Sequence, residues 1–251
     1  MPRKRTGFHQ TIEYIGPQPQ KKKRRHFFGG WVILVIAAGV ATWFGRPLVP
    51  VLKANQQGAS IEQAELTIER LRQDGAFPLL LAAHALILSG QEIQFDNSYY
   101  QISYPEGDIA PDRGNAADVV VRCFRAMGID LQRELHEDMK HHFRLYPQLW
   151  EAITPDANID HRRVPNLERF FERHGESLAP SYETANFRHG DIVVWSLANA
   201  EKHIGIIVPG PGARASEPWV VHHLNGRIEW ADALFDYTVV SHFRYPSDMQ
   251  R

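Results

Sequence analysis

The segment FFGGWVILVIAAGVATWFG, Phe27 to Gly45, carries no charged residue, and the stretch KKKRR, Lys21 to Arg25, ends just before it. As a helix, 19 residues reach about 28 Å, close to the thickness of a bilayer's hydrocarbon layer. Trp31 and Trp43 fall near its two ends, where indoles favour the interface. Lys and Arg crowd residues 1–26 against one acidic residue, Glu13, so positive charge is weighted to the N-terminal side. That asymmetry predicts a single-pass signal anchor over 27–45, a basic cytoplasmic tail over 1–26 and a linker over 46–59. In a bacterial inner membrane residues 46–251, the linker and a domain over 60–251, then face the periplasm. A cleaved secretory signal fits less well, because the apolar run exceeds the usual signal core and no small-x-small site follows promptly. The basic run abuts the apolar span, so nucleic acid is not the expected partner. One cysteine, Cys123, cannot form an internal disulfide, and the fold must rest on packing.

Residues 60–251 change character half-way. Ser60 can cap a helix closed by Gly75, and FPLLLAAHALILSG has Pro78 near its start and Gly90 past its end. His84 within the second reads as a core histidine. EIQFDNSYYQISYPEGD, with Asp96-Asn97 as a turn, predicts a short hairpin. A helix from Ala116 to Gly128, another running to Pro147, and a third between Pro165 and Gly175 follow. After residue 186 come four β-rich runs, GDIVVWSL, HIGIIV, PWVVHHL and YTVVSHFRY. Helices first and antiparallel strands afterwards predict an α+β domain, with N-terminal helices packed on a small antiparallel sheet.

The chemistry-bearing residues are few. A helix N-terminus is where a cysteine thiolate is best stabilised, and such a nucleophile needs an imidazole base oriented by a third polar group. The turn before Ala116 fits the first place in all but residue type. His203 at the start of HIGIIV fits the base, and His222 on the next run fits the orienting group. Gly205 lets another group approach closely. Cys123 lies on the same helix face as Ala116 but about 10 Å further along, in an apolar stripe with Val120 and Met127. That is the setting of an inert small hydrophobe. Arg113 and Asp118 flank the expected cleft, and Asp118 is equally explained by capping and the helix dipole. Arg162 or Arg163 suits a substrate carboxylate, and a loop held by Asp–Arg bonds explains them as well. Asp160 and His161 are adjacent, a weak metal signal, so no metal or other cofactor is expected. His141 and His142 read as solvated, and Asp191 as a turn residue before a strand.

From about Phe95 to Tyr245 the chain resembles the YijF-like family, catalogued as domain of unknown function 1287. The resemblance rests on SYPEGDIAPDRG, DVVVRCFRAMGIDLQRELHEDM, NIDHRRVPNLERFF, GDIVVW, HIGIIV and SHFRY. That family is similar in turn to NlpC/p60-type, papain-like cell-wall peptidases. The resemblance implies a papain-like fold, a cysteine two residues after RG, a catalytic histidine at His203 and a third catalytic group at His222. Here the cysteine, Ser/Thr and Asp of that pattern are Ala116, Ala117 and Asp118, and HHLNGR and IEWADALF replace the family's segments after His222. Either a family member has kept the cleft and lost its thiol, or a Cys→Ala change has disarmed it. The expected function is an envelope-facing amide-hydrolase-type domain, inactive as it stands, whose partner is a peptidoglycan peptide. The alternative is a pseudoenzyme module that binds peptidoglycan or an envelope protein.

Overall fold

The computed structural model describes residues 61–224 and 226–246. The expected anchor 27–45, its flanking tail 1–26, the linker 46–59 and the capping Ser60 lie outside those residues. Among the described residues no helix is long and apolar enough to cross a membrane.

Two helices, α1 (Ile61–Asp74) and α2 (Phe77–Leu88), pack on each other. Pro78 sits in the first turn of α2, where its missing N–H costs nothing, and α2 buries Leu81, Ala82, Ala83, Ala85 and Leu86. His84 is half-buried, and burial lowers its pKa. The helix α3 (Ala116–Ala126) is shorter but more tightly defined. Asn115 caps it: its Oδ1 accepts from the N–H groups of Ala117 and Asp118, while Asp118 Oδ2 accepts from the Asn115 N–H at 2.8 Å. Gly128, with φ 80°, ends it where the chain turns left-handed. Then come α4 (Leu131–His142), capped by Asp130, and α5 (Val164–His174), with Pro165 in its first turn.

The sheet has six strands in the order β3-β8-β4-β5-β6-β7, antiparallel throughout. These are β3 (Glu176–Leu178), β4 (Ile192–Ser196), β5 (Lys202–Pro209), β6 (Pro218–Leu224), β7 (Arg227–Ala231) and β8 (Thr238–Arg244). Strand alternation divides their side chains between two cores. Ile192, Val194, Ile204, Ile206, Val208 and Val221 face the helices, where they meet Ala117, Val120, Phe124 and Leu167. Val193, Trp195, Ile207 and Val220 face the other way, under Phe187, Leu234 and Val239. The chain is therefore α+β, with helices on an antiparallel sheet.

Two local expectations change. The hairpin over 91–107 does not form. Gln94–Phe95 (β1) instead pairs in parallel with Arg113–Gly114 (β2), and the intervening chain is irregular, with turns at 104–106 and 111–112. The Asp96-Asn97 turn is real but local: Asp96 Oδ1 accepts from the Ser98 N–H at 2.8 Å and Oδ2 from the Tyr100 hydroxyl at 2.7 Å. Such an Asx turn redirects the chain without reversing it. The segment IEWADALF also supplies an unexpected strand, β7, whose polar residues signal an edge rather than a loop.

Candidate functional site

A cleft of about 1130 Å³ opens between the start of α3, the segments around Asn97 and Trp150, and the beginning of β5. Ala116, the first residue of α3, and His203, at the start of β5, both line it. Ala116 is 6% exposed. Its N–H is one of the helix's orphan donors, and no group among the described residues accepts from it.

His203 and His222 are brought together as the pattern of the strands requires. β5 and β6 run antiparallel with Gly205 opposite His222, so the two imidazoles lie on one face of the sheet. His203 Nε2 and His222 Nδ1 are 2.9 Å apart, one donating and the other accepting. Trp195 stands beside both rings, at centroid distances of 5.7 Å and 5.9 Å, and donates its indole N–H to the Leu234 carbonyl at 2.8 Å. Gly205 makes room for that indole. A Cβ there would come within 2.8 Å of the Val221 carbonyl oxygen and 3.0 Å of the Trp195 ring. The close approach foreseen for Gly205 is thus made by the protein itself.

The pair is buried and neutral. Burial is the main cause that pushes both pKa values well below the usual histidine range, and neighbouring imidazoles add to it. With Nε2 engaged, Nδ1 is the free nitrogen of His203, whose ring is 6% exposed on the cleft wall. His222 lies behind it, and its Nε2 is buried without a partner. An orphaned buried N–H costs about 1–3 kcal/mol, so a hydrogen on His222 Nδ1, donated to His203, is the preferred arrangement. His203 then presents Nδ1–H to the cleft at rest. A base role requires the other tautomer and the cost of that orphan.

The expected substrate arginines divide. Arg162 lines the cleft, but its guanidinium is largely engaged inward. Nε and Nη2 donate to the Asp118 carboxylate at 2.9 Å and 3.2 Å, Nη1 to the Ser98 carbonyl at 2.7 Å and Nη2 to the Asp96 carbonyl at 2.8 Å. Asp118 is buried beneath it. The expectation that Arg162 clamps a substrate carboxylate gives way to a structural role: four of its five N–H hydrogens hold three chain segments together. Asp118 likewise caps α3 and pairs with Arg162 rather than meeting a ligand. Arg113 bonds weakly to Asp96 and Tyr100, each at 3.4 Å, and is not among the residues lining the cleft. Arg163 does line it, stacked over the Trp150 ring at 4.1 Å and bonded to Asp160 at 3.3 Å.

Cys123 is wholly buried, and burial pushes its thiol up to about 12, as an inert core residue requires. No group of three or more His, Cys, Asp or Glu suited to a metal ion occurs among the described residues. His161 is buried, with a pKa lowered to about 4 by burial first and Arg162 second. The sequence reading missed the cap Asn115 and its neighbour Asn97, and the exposed aromatic lip of Phe95, Tyr99 and Trp150. Asn115 had a legible signal, an N-cap residue type directly before a helix start.

The family model for a domain of unknown function, DUF1287, matches residues 82–245. This chain belongs to the DUF1287 family. Over 156 residues it is 43% identical to the uncharacterized protein YijF of Escherichia coli (strain K12), covering 62% of this chain and 76% of that protein. No solved structure matches. Ala116, His203 and His222 all lie inside the matched part of the DUF1287 domain, as does every element of the cleft from Phe95 to Gly226.

Proposed function

We propose that this DUF1287 domain is a membrane-anchored, envelope-facing module of the papain-like, NlpC/p60 kind, built for amide hydrolysis but disarmed at Ala116. The observation that carries the reading is one cleft lined by a capped helix start at Ala116 and by His203, with buried His222 bonded behind it. In the parent chemistry a thiol at position 116 attacks an amide carbonyl, His203 moves the proton to the leaving amine, and His222 holds the ring. A methyl group has neither a lone pair nor an ionisable proton. The chain as it stands therefore holds acyl ligands, with peptidoglycan stem peptides the favoured class, and does not cut them.

The test is Ala116→Cys in the full chain, incubated with purified cell-wall sacculi. New amine termini released by the variant and not by the parent support the reading. Labelling of the new thiol by a small disulfide-forming reagent, without release of any amine, counts against hydrolase ancestry. The second reading is a non-catalytic module that binds peptidoglycan or an envelope protein. It is favoured by the resting tautomer of the dyad, which offers a donor instead of a base, and by the exposed Phe95, Tyr99 and Trp150 at the lip. Sedimentation of the unaltered chain with sacculi, weakened by His203→Ala, supports it. The anchored topology is tested separately by reporters fused after residue 251, which should be active only in the periplasm.

A further inference from the structure

Arg162 and Arg163 carry the same fork of donors and use it differently. A short helical turn, Asp160–Arg162, leads into an extended Arg163 (φ −108°, ψ 112°) ahead of α5, and the two side chains diverge. Arg162 lays its Nε–Nη2 edge along Asp118, one bond to each carboxylate oxygen, at 2.9 Å and 3.2 Å. In Arg163 the same edge has no acceptor among the described residues, and neither nitrogen is shut away from solvent. Its one bond runs from Nη1 to Asp160 Oδ1, and 3.3 Å is long for a charged pair. The Trp150 indole lies against the guanidinium at 4.1 Å and holds its plane without taking a donor. Arg163 and Trp150 both line the cleft, and the Arg163 side chain is 21% exposed.

The other charges of the cleft wall are engaged with each other. Lys202 pairs with Glu168 at 2.6 Å, Glu168 also accepts from the Ser241 hydroxyl at 2.6 Å, and Arg162 is matched by Asp118. Glu201, the other carboxylate on the wall, takes no bond from Arg163. One open guanidinium edge suits a planar monoanion with two oxygens. A phosphate dianion calls for a second cation, and among the residues lining the cleft Lys202 and Arg162 are already committed. We infer that the Nε–Nη2 edge of Arg163, backed by Trp150, seats a carboxylate carried by the ligand. This rests on the reading of the cleft as an acyl site and adds a second recognised group, a free carboxylate in preference to a carboxamide. A fork already held in plane loses little freedom when it binds.

The full chain is titrated by fluorine NMR with two acids. N-trifluoroacetyl-Ala-Ala carries a terminal carboxylate, and N-trifluoroacetyl-Ala-Glu amide carries one on a side chain. Each is compared with its carboxamide, N-trifluoroacetyl-Ala-Ala amide or N-trifluoroacetyl-Ala-Gln amide. At least one acid should bind about 10-fold or more tighter than its carboxamide, the scale of hydrogen bonds to a charged group. The acid that does so names the source of the carboxylate. Arg163→Met should abolish the preference. Arg163→Lys keeps a charge beside Asp160 but loses the fork, and should cut the preference several-fold; Trp150→Leu should cut it less. The acid-to-amide ratio is the readout, because a folding defect lowers both affinities together. Equal binding of acid and carboxamide overturns the proposal, as does a preference that survives Arg163→Met, or failure of both acids to bind. Inorganic phosphate displacing a bound acid at lower concentration than acetate does also overturns it. An Arg163-dependent preference, with no amine released from sacculi by Ala116→Cys, leaves the seat standing and removes the hydrolase ancestry. Amine release without any acid preference does the reverse.

Discussion

Among the partnered histidines of the sheet, His242 and His203 belong to different objects. His242 on β8 is completely buried, and its Nε2 lies 2.7 Å from Asp191 Oδ2. Asp191 also accepts from Arg244 Nε at 2.9 Å and from the Arg188 N–H at 2.8 Å. His203 has a second imidazole instead of a carboxylate, and its remaining nitrogen reaches a cleft. By chemistry alone the His–Asp pair looks more like a catalytic device. By place it is scaffold: one carboxylate ties a turn, β4 and β8 together inside the second core. His242 is closed off, its Nδ1 buried without a partner, so the pair's bonds serve the fold, whereas a histidine with a spare nitrogen beside a cavity is available to a ligand.

That contrast can be broken at its strongest point first. Asp191→Ala removes the shared acceptor of His242, Arg244 and the Arg188 N–H and leaves buried donors unpaired. It should cost about 3–5 kcal/mol in denaturant unfolding. A loss below about 1 kcal/mol would mean the His242–Asp191 pair is no scaffold. Arg162→Met tests the other saturated knot by stranding Asp118, and a loss of about 3 kcal/mol is expected. Any weakening of ligand binding in that variant should follow its stability, because four of the five guanidinium hydrogens are engaged within the fold.

The cleft pair should behave differently with pH. Burial lowers the pKa of His203 to about 4 and that of His222 further, against about 6.5 in the unfolded chain. The unfolded state therefore binds protons more readily. The stability these groups contribute is whole above about pH 6.5 and is lost as pH falls through their folded values near 4. Urea midpoints followed downward in pH should show this loss, shallower in the double variant His203→Gln, His222→Gln. A slope that the double variant leaves untouched would place the acid sensitivity elsewhere, with buried His161 the next group to replace. The smallest effect belongs to His222→Leu, a change of about 1 kcal/mol or less, since it removes an orphaned nitrogen together with one hydrogen bond. A loss of several kcal/mol there would make the pair scaffold after all.

What the sequence made legible follows the range of the forces involved. Helix limits are set by neighbours, so Pro78, Pro165, Gly128 and Gly175 marked them correctly. His203 and His222 were legible as a pair because alternation along two adjacent strands puts them on one face. Arg162 was misread because its partner is 44 residues away, and no local pattern distinguishes an arginine that holds loops from one that waits for a carboxylate. The hairpin failed for a related reason. The carbonyls of Asp96 and Ser98 are held by Arg162, and the Asp96 N–H by Gly114 of β2 rather than by a hairpin partner. Asp191 was read as a turn residue, which it is, but its bonds to His242 and Arg244 span more than 50 residues and were invisible.

The central claim is that Ala116 occupies the seat of a nucleophile beside His203. It is tested most directly by the ionisation of a thiol placed there. In Ala116→Cys, the rate of alkylation by iodoacetamide across pH reports that thiol alone, because buried Cys123, with its pKa pushed up to about 12, stays silent. The account predicts a midpoint well below the 8.5 or so of a free cysteine, moving upward when His203→Ala is added. A midpoint at or above that value, unmoved by the loss of His203, would contradict it.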